Sequence, residues 1–334
     1  MLPPSEECIV SCAEISKVPK TTIEHCLREV TWESSVSHGD SVAVKPNMCH
    51  PFYEPGIVTS KDFLADALDI ITRRAGRVYL VESNGLRYSA DSAFRSTGFA
   101  KIASEFGVEC VNLSNERKVK LKSRWLGDSG IPELLTNVDS FVSIPVVKTH
   151  ELTTVSLSLK NQYGCIPDSK RILLHHHLDE AIVEINRHLA PKLAILDGTY
   201  AMSGNGPIHG KVLRLNWTLA SRNLVALDWI ATQSLGLDPT TVRHIKLASE
   251  TELAPRDLSR ITVRGALPRS ISIRPPKPDL VGRTLSRIVR NPAITRALIT
   301  SPAFHFLNTV ALAYRNLVRP EGYERLYEDS FSGV

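Results

Sequence analysis

No run in the 334-residue chain approaches the roughly 18 apolar residues of a membrane span. Its first residues, MLPPSEECIVSCAEI, have neither the basic start nor the long apolar stretch of a secretory leader. There are only six cysteines, and no two stand as CxxC, so zinc-knuckle and ferredoxin-type cluster spacings are absent. Reduced thiols and a soluble cytoplasmic protein are therefore expected. Aromatic residues make up 6% and do not interleave with basic ones, so no nucleic-acid module is present and no nucleic-acid partner is expected. A GK[ST] phosphate loop, HExxH and a nucleophile elbow are also missing.

The chain does contain enough apolar residues for a core, 43% by the broad count, against a net charge of only +5. That charge is unevenly placed. Residues 254–334 hold 13 Lys and Arg against 6 Asp and Glu, whereas residues 1–253 hold 27 against 29. The excess positive charge belongs to the tail. It reads as a solvated basic surface or as a docking face for an acidic membrane or partner.

Apolar strand-like runs alternate with helical spacings and Gly-containing turns. Residues 40–45, 77–82, 108–113, 138–147 and 192–197 read as strands, and 63–75, 94–106, 178–189 and 224–235 as helices. This order predicts an α/β fold, a mostly parallel sheet with helices on both faces. Residues 114–137 read as an excursion or hairpin, 212–221 as an extended segment and 238–249 as a further helix. Short strands are expected at 261–263 and 271–273. After the proline-rich linker 274–278, helical patterns over 280–290 and 293–319 predict a basic C-terminal extension, with Arg283, Arg287 and Arg290 on one face. The expected division is therefore an α/β domain over 1–273 and a helical extension over 274–334. The extension is read first as an appendage packed on the domain, and second as a peripheral membrane or protein contact through 280–319.

In such sheets ligands bind beyond the carboxyl ends of the strands. Polar motifs stand at several of those ends. Lys45-Pro46-Asn47 follows the first strand of this reading, with Thr59-Ser60 opening a helix. Lys148-Thr149-His150 follows the most apolar strand, and Lys160-Asn161-Gln162-Tyr163-Gly164 comes soon after. Asp197-Gly198 ends its strand before a glycine-rich loop containing Gly204, Asn205, Gly206 and Gly210. Each motif is either a site component or an ordinary turn. His175-His176-His177 admits at most one or two metal ligands, because three consecutive imidazoles cannot face one ion. A buried His at a helix entrance is the alternative. Asp228, between Leu227 and Trp229, is either a buried hydrogen-bonding acid or part of the same pocket.

Read together, VAVKPN, SIPVVKTH, LSLKNQYG, LAILDGTYAMSGNGP and ASRNLVALDWIA resemble the domain-of-unknown-function 362 family, in the expected order from about Val42 to Ala248. The resemblance implies an α/β domain whose polar motifs converge on one site, and it supplies no activity. Many relatives carry ferredoxin-like cysteine runs and this chain has none, so an iron–sulfur cluster is not expected here. Met202-Ser203 stands where relatives often place a Glu, which removes one potential acid or metal ligand.

The sequence thus points to an enzyme acting on a small anion that bears carboxylate or phosphate. Lys148, His150 and Asp197 are the candidate catalytic residues. Lys45, Asn47, Thr59, Lys160, Asn161, Asn205 and Gly206 are the candidate substrate-binding residues. A divalent metal held by His150, Asp197, Glu82 and His176 is a second arrangement these residues admit. The alternative is a non-catalytic metal- or ligand-binding protein whose basic tail docks on a partner or membrane surface.

Overall fold

The computed structural model describes residues 8–16, 18–266, 273–277, 280–299 and 301. Its strands in chain order are β1 Ile9–Glu14, β2 Ser41–Pro46, β3 Arg77–Glu82, β4 Glu109–Asn112, β5 Lys118–Val119, β6 Ile131–Pro132, β7 Ser140–Ile144, β8 Val146–His150, β9 Thr154–Ser156, β10 Leu193–Ser203, β11 Lys211–Ser221 and β12 Thr262–Gly265. The helices are α1 Pro19–Glu29, α2 Lys61–Thr72, α3 Ala90–Ser96, α4 Phe99–Glu105, α5 Glu133–Asn137, α6 Ser158–Asn161, α7 Leu178–Leu189, α8 Leu224–Ser234, α9 Arg243–Ser249, α10 Leu280–Val289 and α11 Pro292–Ile299.

The main sheet runs β12-β1-β11-β10-β7-β2-β3-β4, with β8 and β9 branching from β10. The pairs β10–β7, β7–β2, β2–β3 and β3–β4 are parallel, and β11 runs antiparallel to both neighbours. Side chains alternate across a strand, so a strand buried on both faces divides its residues between two cores. Val42 and Val44 pack with α1 to α4 on one face, whereas Ala43 packs with α7 to α9 on the other. Ile195 and Leu196 divide in the same way. The architecture is therefore the expected mostly parallel α/β sheet, covered on both sides.

Several details differ from the sequence reading. Residues 138–147 do not form one strand: the chain breaks at Pro145, β7 continues the sheet, and β8 shifts onto β10. Proline has no N–H to extend the ladder, which accounts for the break. The helix expected over 94–106 is two helices, separated at Gly98 with φ +82°. The apolar run at Ile9–Glu14 is a strand that the sequence reading did not contain. Residues 238–249 begin with a 3-10 turn, Pro239–Thr241, before α9. Of the strand expected at 271–273, only Ile273 is described, and it is in no strand. The expected helix over 293–319 lies outside the described residues beyond α11, apart from Ser301. Among the described residues no helix is long and apolar enough to cross a membrane.

Candidate functional site

Three lysines of the sequence motifs lie within elements, Lys45 in β2, Lys148 in the middle of β8 and Lys160 in α6, and each has a different environment. Lys45, on β2, is 1% exposed and its Nζ lies 2.6 Å from Glu82 Oε2 and 2.7 Å from the Pro46 carbonyl. A buried charge needs such a partner. Glu82 is fixed in turn by the Ser83 N–H, 3.0 Å from Oε1. Gly164 allows this pair to sit against the backbone, because a Cβ there would meet Glu82 Oε1 at 2.8 Å and Lys45 Nζ at 3.0 Å.

Lys148, on β8, is also 1% exposed, but its ammonium donates to neutral groups: Asn47 Oδ1 at 2.8 Å, the Ile57 carbonyl at 2.8 Å and Cys49 Sγ at 3.1 Å. Its charge therefore has no paired carboxylate. Lys160, on α6, makes neither a hydrogen bond nor an ion pair with a described residue. Burial lowers its pKa to about 8, and the neighbouring Lys148 and Arg171 add to the effect, while Cys49 and Asp179 oppose it.

Arg171 opens the 3-10 segment Arg171–His177. Its Nη1 donates to Ser83 Oγ and the Asn84 carbonyl, both at 2.8 Å, which draws the segment toward β3. His150 ends β8 and its Nδ1 accepts the Leu152 N–H at 3.1 Å, so the neutral ring carries its proton on Nε2. Burial holds the His150 pKa well below the usual histidine value, reinforced by Lys160, His175 and Lys148. His175 is pushed down to about 3 by burial, then by Lys160, Arg171 and Arg290. Both imidazoles are neutral bases at neutral pH, facing a cluster of cations.

Other candidates are taken up by the protein itself. Asp197 accepts the Ser60 N–H at 2.7 Å and the Thr199 N–H at 2.9 Å, tying β10 to the start of α2. Burial raises its pKa, and these hydrogen bonds oppose the rise. Thr59 accepts the Asn47 N–H at 2.8 Å and donates to the Ile144 carbonyl at 3.0 Å. Asn161 donates to the Lys45 carbonyl and Ser143 Oγ, both at 3.0 Å. Asn205 accepts the Lys277 N–H at 2.9 Å, fastening the start of the extension to the glycine-rich loop. Gly206 lies so close to the Thr149 carbonyl that no side chain fits between them.

The metal arrangement is corrected. Among the described residues no group of three or more His, Cys, Asp and Glu could hold a metal ion. Glu82 is engaged by Lys45, Asp197 by two backbone N–H groups, and His176 Nδ1 lies 2.7 Å from the Leu173 carbonyl. His150 is therefore left without these carboxylates. Of the two cysteines inside motifs, Cys165 is fully buried and pushed up to about 12 by burial, so it stays a thiol. Cys49 is exposed beside Lys148.

Sequence reasoning missed Arg171, Asp179 and His244. Arg171 sits in the polar run Asp168-Ser169-Lys170-Arg171 and reads as solvated surface. His244 is fully buried and neither of its ring nitrogens has a hydrogen-bond partner among the described residues, with Asp179 Oδ1 3.7 Å from Nδ1. A cleft beside them is lined by His175, Asp179, Arg243 and Arg290 among others. Arg290 follows α10 and donates to the Leu152 carbonyl at 3.1 Å, so the described part of the extension closes one side of the site.

The family model described as domain of unknown function (DUF362) matches residues 42–233. A thylakoid-associated protein of Synechocystis sp. is 27% identical over 229 residues, which make up 66% of this chain and 70% of that protein. The lactate racemase apoprotein of Thermoanaerobacterium thermosaccharolyticum is similar in structure with a TM-score of 0.43 and 12% identity, over 67% of this chain and 57% of that one. A Thermotoga maritima protein gives a TM-score of 0.33 and 11% identity, over 69% of this chain and 59% of that one. The chain thus spans less than two thirds of either solved structure.

Proposed function

The chain belongs to the DUF362 family, and from that premise we propose that it is an enzyme acting on a small anion bearing carboxylate or phosphate. The observation that carries this reading is the cluster of Lys148, Lys160 and Arg171. Lys148 donates only to neutral acceptors, Lys160 has no acceptor among the described residues, and the nearby Glu82 is committed to Lys45. A buried ammonium without a paired carboxylate, as at Lys148, is costly, and an anionic ligand offsets that cost.

Within the site the roles divide by available hydrogen-bonding capacity. Lys160 supplies an ammonium to the anion. Lys148 adds charge while its N–H groups hold Asn47 and the Ile57 carbonyl in place. His150, whose neutral ring carries its proton on Nε2 because Nδ1 accepts the Leu152 N–H, donates a hydrogen bond to the anion from Nε2. Asp197, Thr59 and Asn161 position these residues rather than touch the ligand. Fixed positive charge at a place of developing negative charge is usually the largest catalytic contribution, which favours the lysines over Cys49 as the chemical centre.

We take residues 1–273 as the catalytic unit and 274–334 as an extension, whose described part is fastened to loops around the site at Lys277 and Arg290. Six free cysteines favour a reducing compartment, and we place the protein in the cytoplasm on that ground.

The test is thermal unfolding in inorganic phosphate, acetate and pyruvate against chloride at equal ionic strength. A ligand present at 100 times its Kd stabilises by about 2.7 kcal/mol. At least one of these anions is expected to raise the melting temperature in a saturable manner, and Lys160→Met to remove that rise. Equal melting temperatures in every salt would refute the reading.

A further inference from the structure

From Leu280 to Arg319 the chain holds six arginines and no Lys, Asp or Glu, so this stretch carries positive charge that no acid of its own offsets. In α10, Leu280, Arg283, Thr284 and Arg287 fall at i, i+3, i+4 and i+7, which is one face of a helix. All four are exposed. In α11 the exposed residues include Pro292, Ala293, Ile294 and Ala297, so a basic face is continued in sequence by an apolar one. Leu280 is 73% exposed and Ile294 45%, and they are two of the few large apolar side chains left in water.

The opposite side of the helix pair is committed to the protein. The helices α10 and α11 pack on each other and on the 3-10 segment Arg171–His177. Thr295, 2% exposed, donates from Oγ1 to the Ile288 carbonyl at 2.8 Å, which joins α11 to α10. Arg290 ties the junction between them to the Leu152 carbonyl. Arg283, Arg287, Leu280 and Ile294 thus stand on the outer side of helices held against the α/β unit.

We propose that the α10–α11 pair is a docking face for an anionic lipid bilayer. Arg283 and Arg287 meet the headgroup phosphates and carboxylates, and Leu280 and Ile294 enter the boundary between headgroups and acyl chains. A nucleic-acid backbone would use the same arginines but leave Leu280 and Ile294 in water, whereas a bilayer takes up both kinds of side chain. The face is separate from the anion site, because Lys148, Lys160 and Arg171 take no part in it.

The experiment is cosedimentation of the full chain with vesicles of phosphatidylcholine alone, and of phosphatidylcholine and phosphatidylserine in equal parts, at rising potassium chloride. Binding is expected only to the phosphatidylserine vesicles, and it weakens as salt screens the arginines. One basic residue near such a surface contributes about fivefold in partitioning, so removing two with Arg283→Ser and Arg287→Ser is expected to lose about thirtyfold. Leu280→Ser with Ile294→Ser is expected to weaken binding at every salt concentration. All four side chains are exposed, so both double variants keep the wild-type melting temperature and the wild-type response to inorganic phosphate. Equal binding to the two kinds of vesicle, binding to neither, or undiminished binding by either double variant would overturn the proposal. Binding of duplex DNA through the same arginines, with vesicles left free, would assign the face to nucleic acid and overturn it as well.

Discussion

The Asp228 carboxylate grips Ser158 twice, at the backbone N–H 2.8 Å away and at the side-chain hydroxyl, although the two residues lie on different helices 70 positions apart. Its second oxygen takes the Leu159 N–H at 2.9 Å. The acid in α8 thereby fixes the turn that presents Lys160, and burial raises its own pKa to about 6.

Asp228→Ala is expected to leave these buried donors bare, at about 1–3 kcal/mol for each group. The urea midpoint should fall, and phosphate should lose its stabilising effect because Lys160 is no longer held. Asp228→Asn keeps an acceptor for part of the turn and should fall between wild type and Ala. An Ala variant with wild-type stability and wild-type phosphate response would contradict this role.

Lys160→Met should stabilise the free protein at neutral pH. The folded pKa, about 8, lies below the ordinary lysine value of 10.5. Between those values the unfolded chain binds more protons, so wild-type stability rises with pH across that window. Below it, the folded protein carries the unfavourable charge in full, worth up to about 3 kcal/mol. Paired melting curves should show the variant ahead at pH 7 and the gap closing toward pH 10. A constant gap would assign the change to packing instead.

The two enclosed imidazoles produce the same sign at lower pH. His175 has a folded pKa of about 3, below the usual 6.5, and His150 is shifted in the same direction. Below pH 6.5 the unfolded chain takes up protons that the folded chain resists, so stability falls as pH falls. Melting temperatures recorded from pH 7.5 to 5 should drop, and the slope should flatten in a His150→Gln, His175→Gln double variant.

Breaking the Lys45–Glu82 pair should cost more than any exposed ion pair in the chain. Glu82→Gln leaves a buried ammonium without counter-charge, and such losses run to about 3–5 kcal/mol. Arg77→Ala, which removes an exposed pair with Glu109, should change stability by less than about 1 kcal/mol. Denaturant midpoints of the two variants compare them directly.

The fold was largely legible because its signals are local. Apolar runs such as 77–82 and 192–197 are bounded by turn residues, and alternating helices imply a parallel sheet. Chain breaks at Pro145 and Gly98 were carried by single residues inside otherwise continuous apolar patterns, so the runs looked unbroken. The three lysines were legible for the same local reason, since each stands in a polar motif close behind an apolar run. Their division of labour was not. How each lysine is held depends on Glu82 for Lys45, on Asn47 for Lys148 and on Asp228, which fixes the turn before Lys160; these lie 37, 101 and 68 positions away. Arg171 and His244 carry no local pattern at all, and only the packing of the 3-10 segment and α9 brings them to the site. The metal arrangement failed because hydrogen bonds to backbone N–H groups occupy Asp197, a competition that residue type alone does not reveal.

The most direct test of the anion site is a calorimetric titration of inorganic phosphate into the wild-type chain and into Lys160→Met at pH 7 and constant ionic strength. The site described above predicts saturable binding at one phosphate per chain, weakened at least about tenfold in the variant, a loss of roughly 1.4 kcal/mol. Binding of equal strength in both proteins, or none in the wild type, would contradict it.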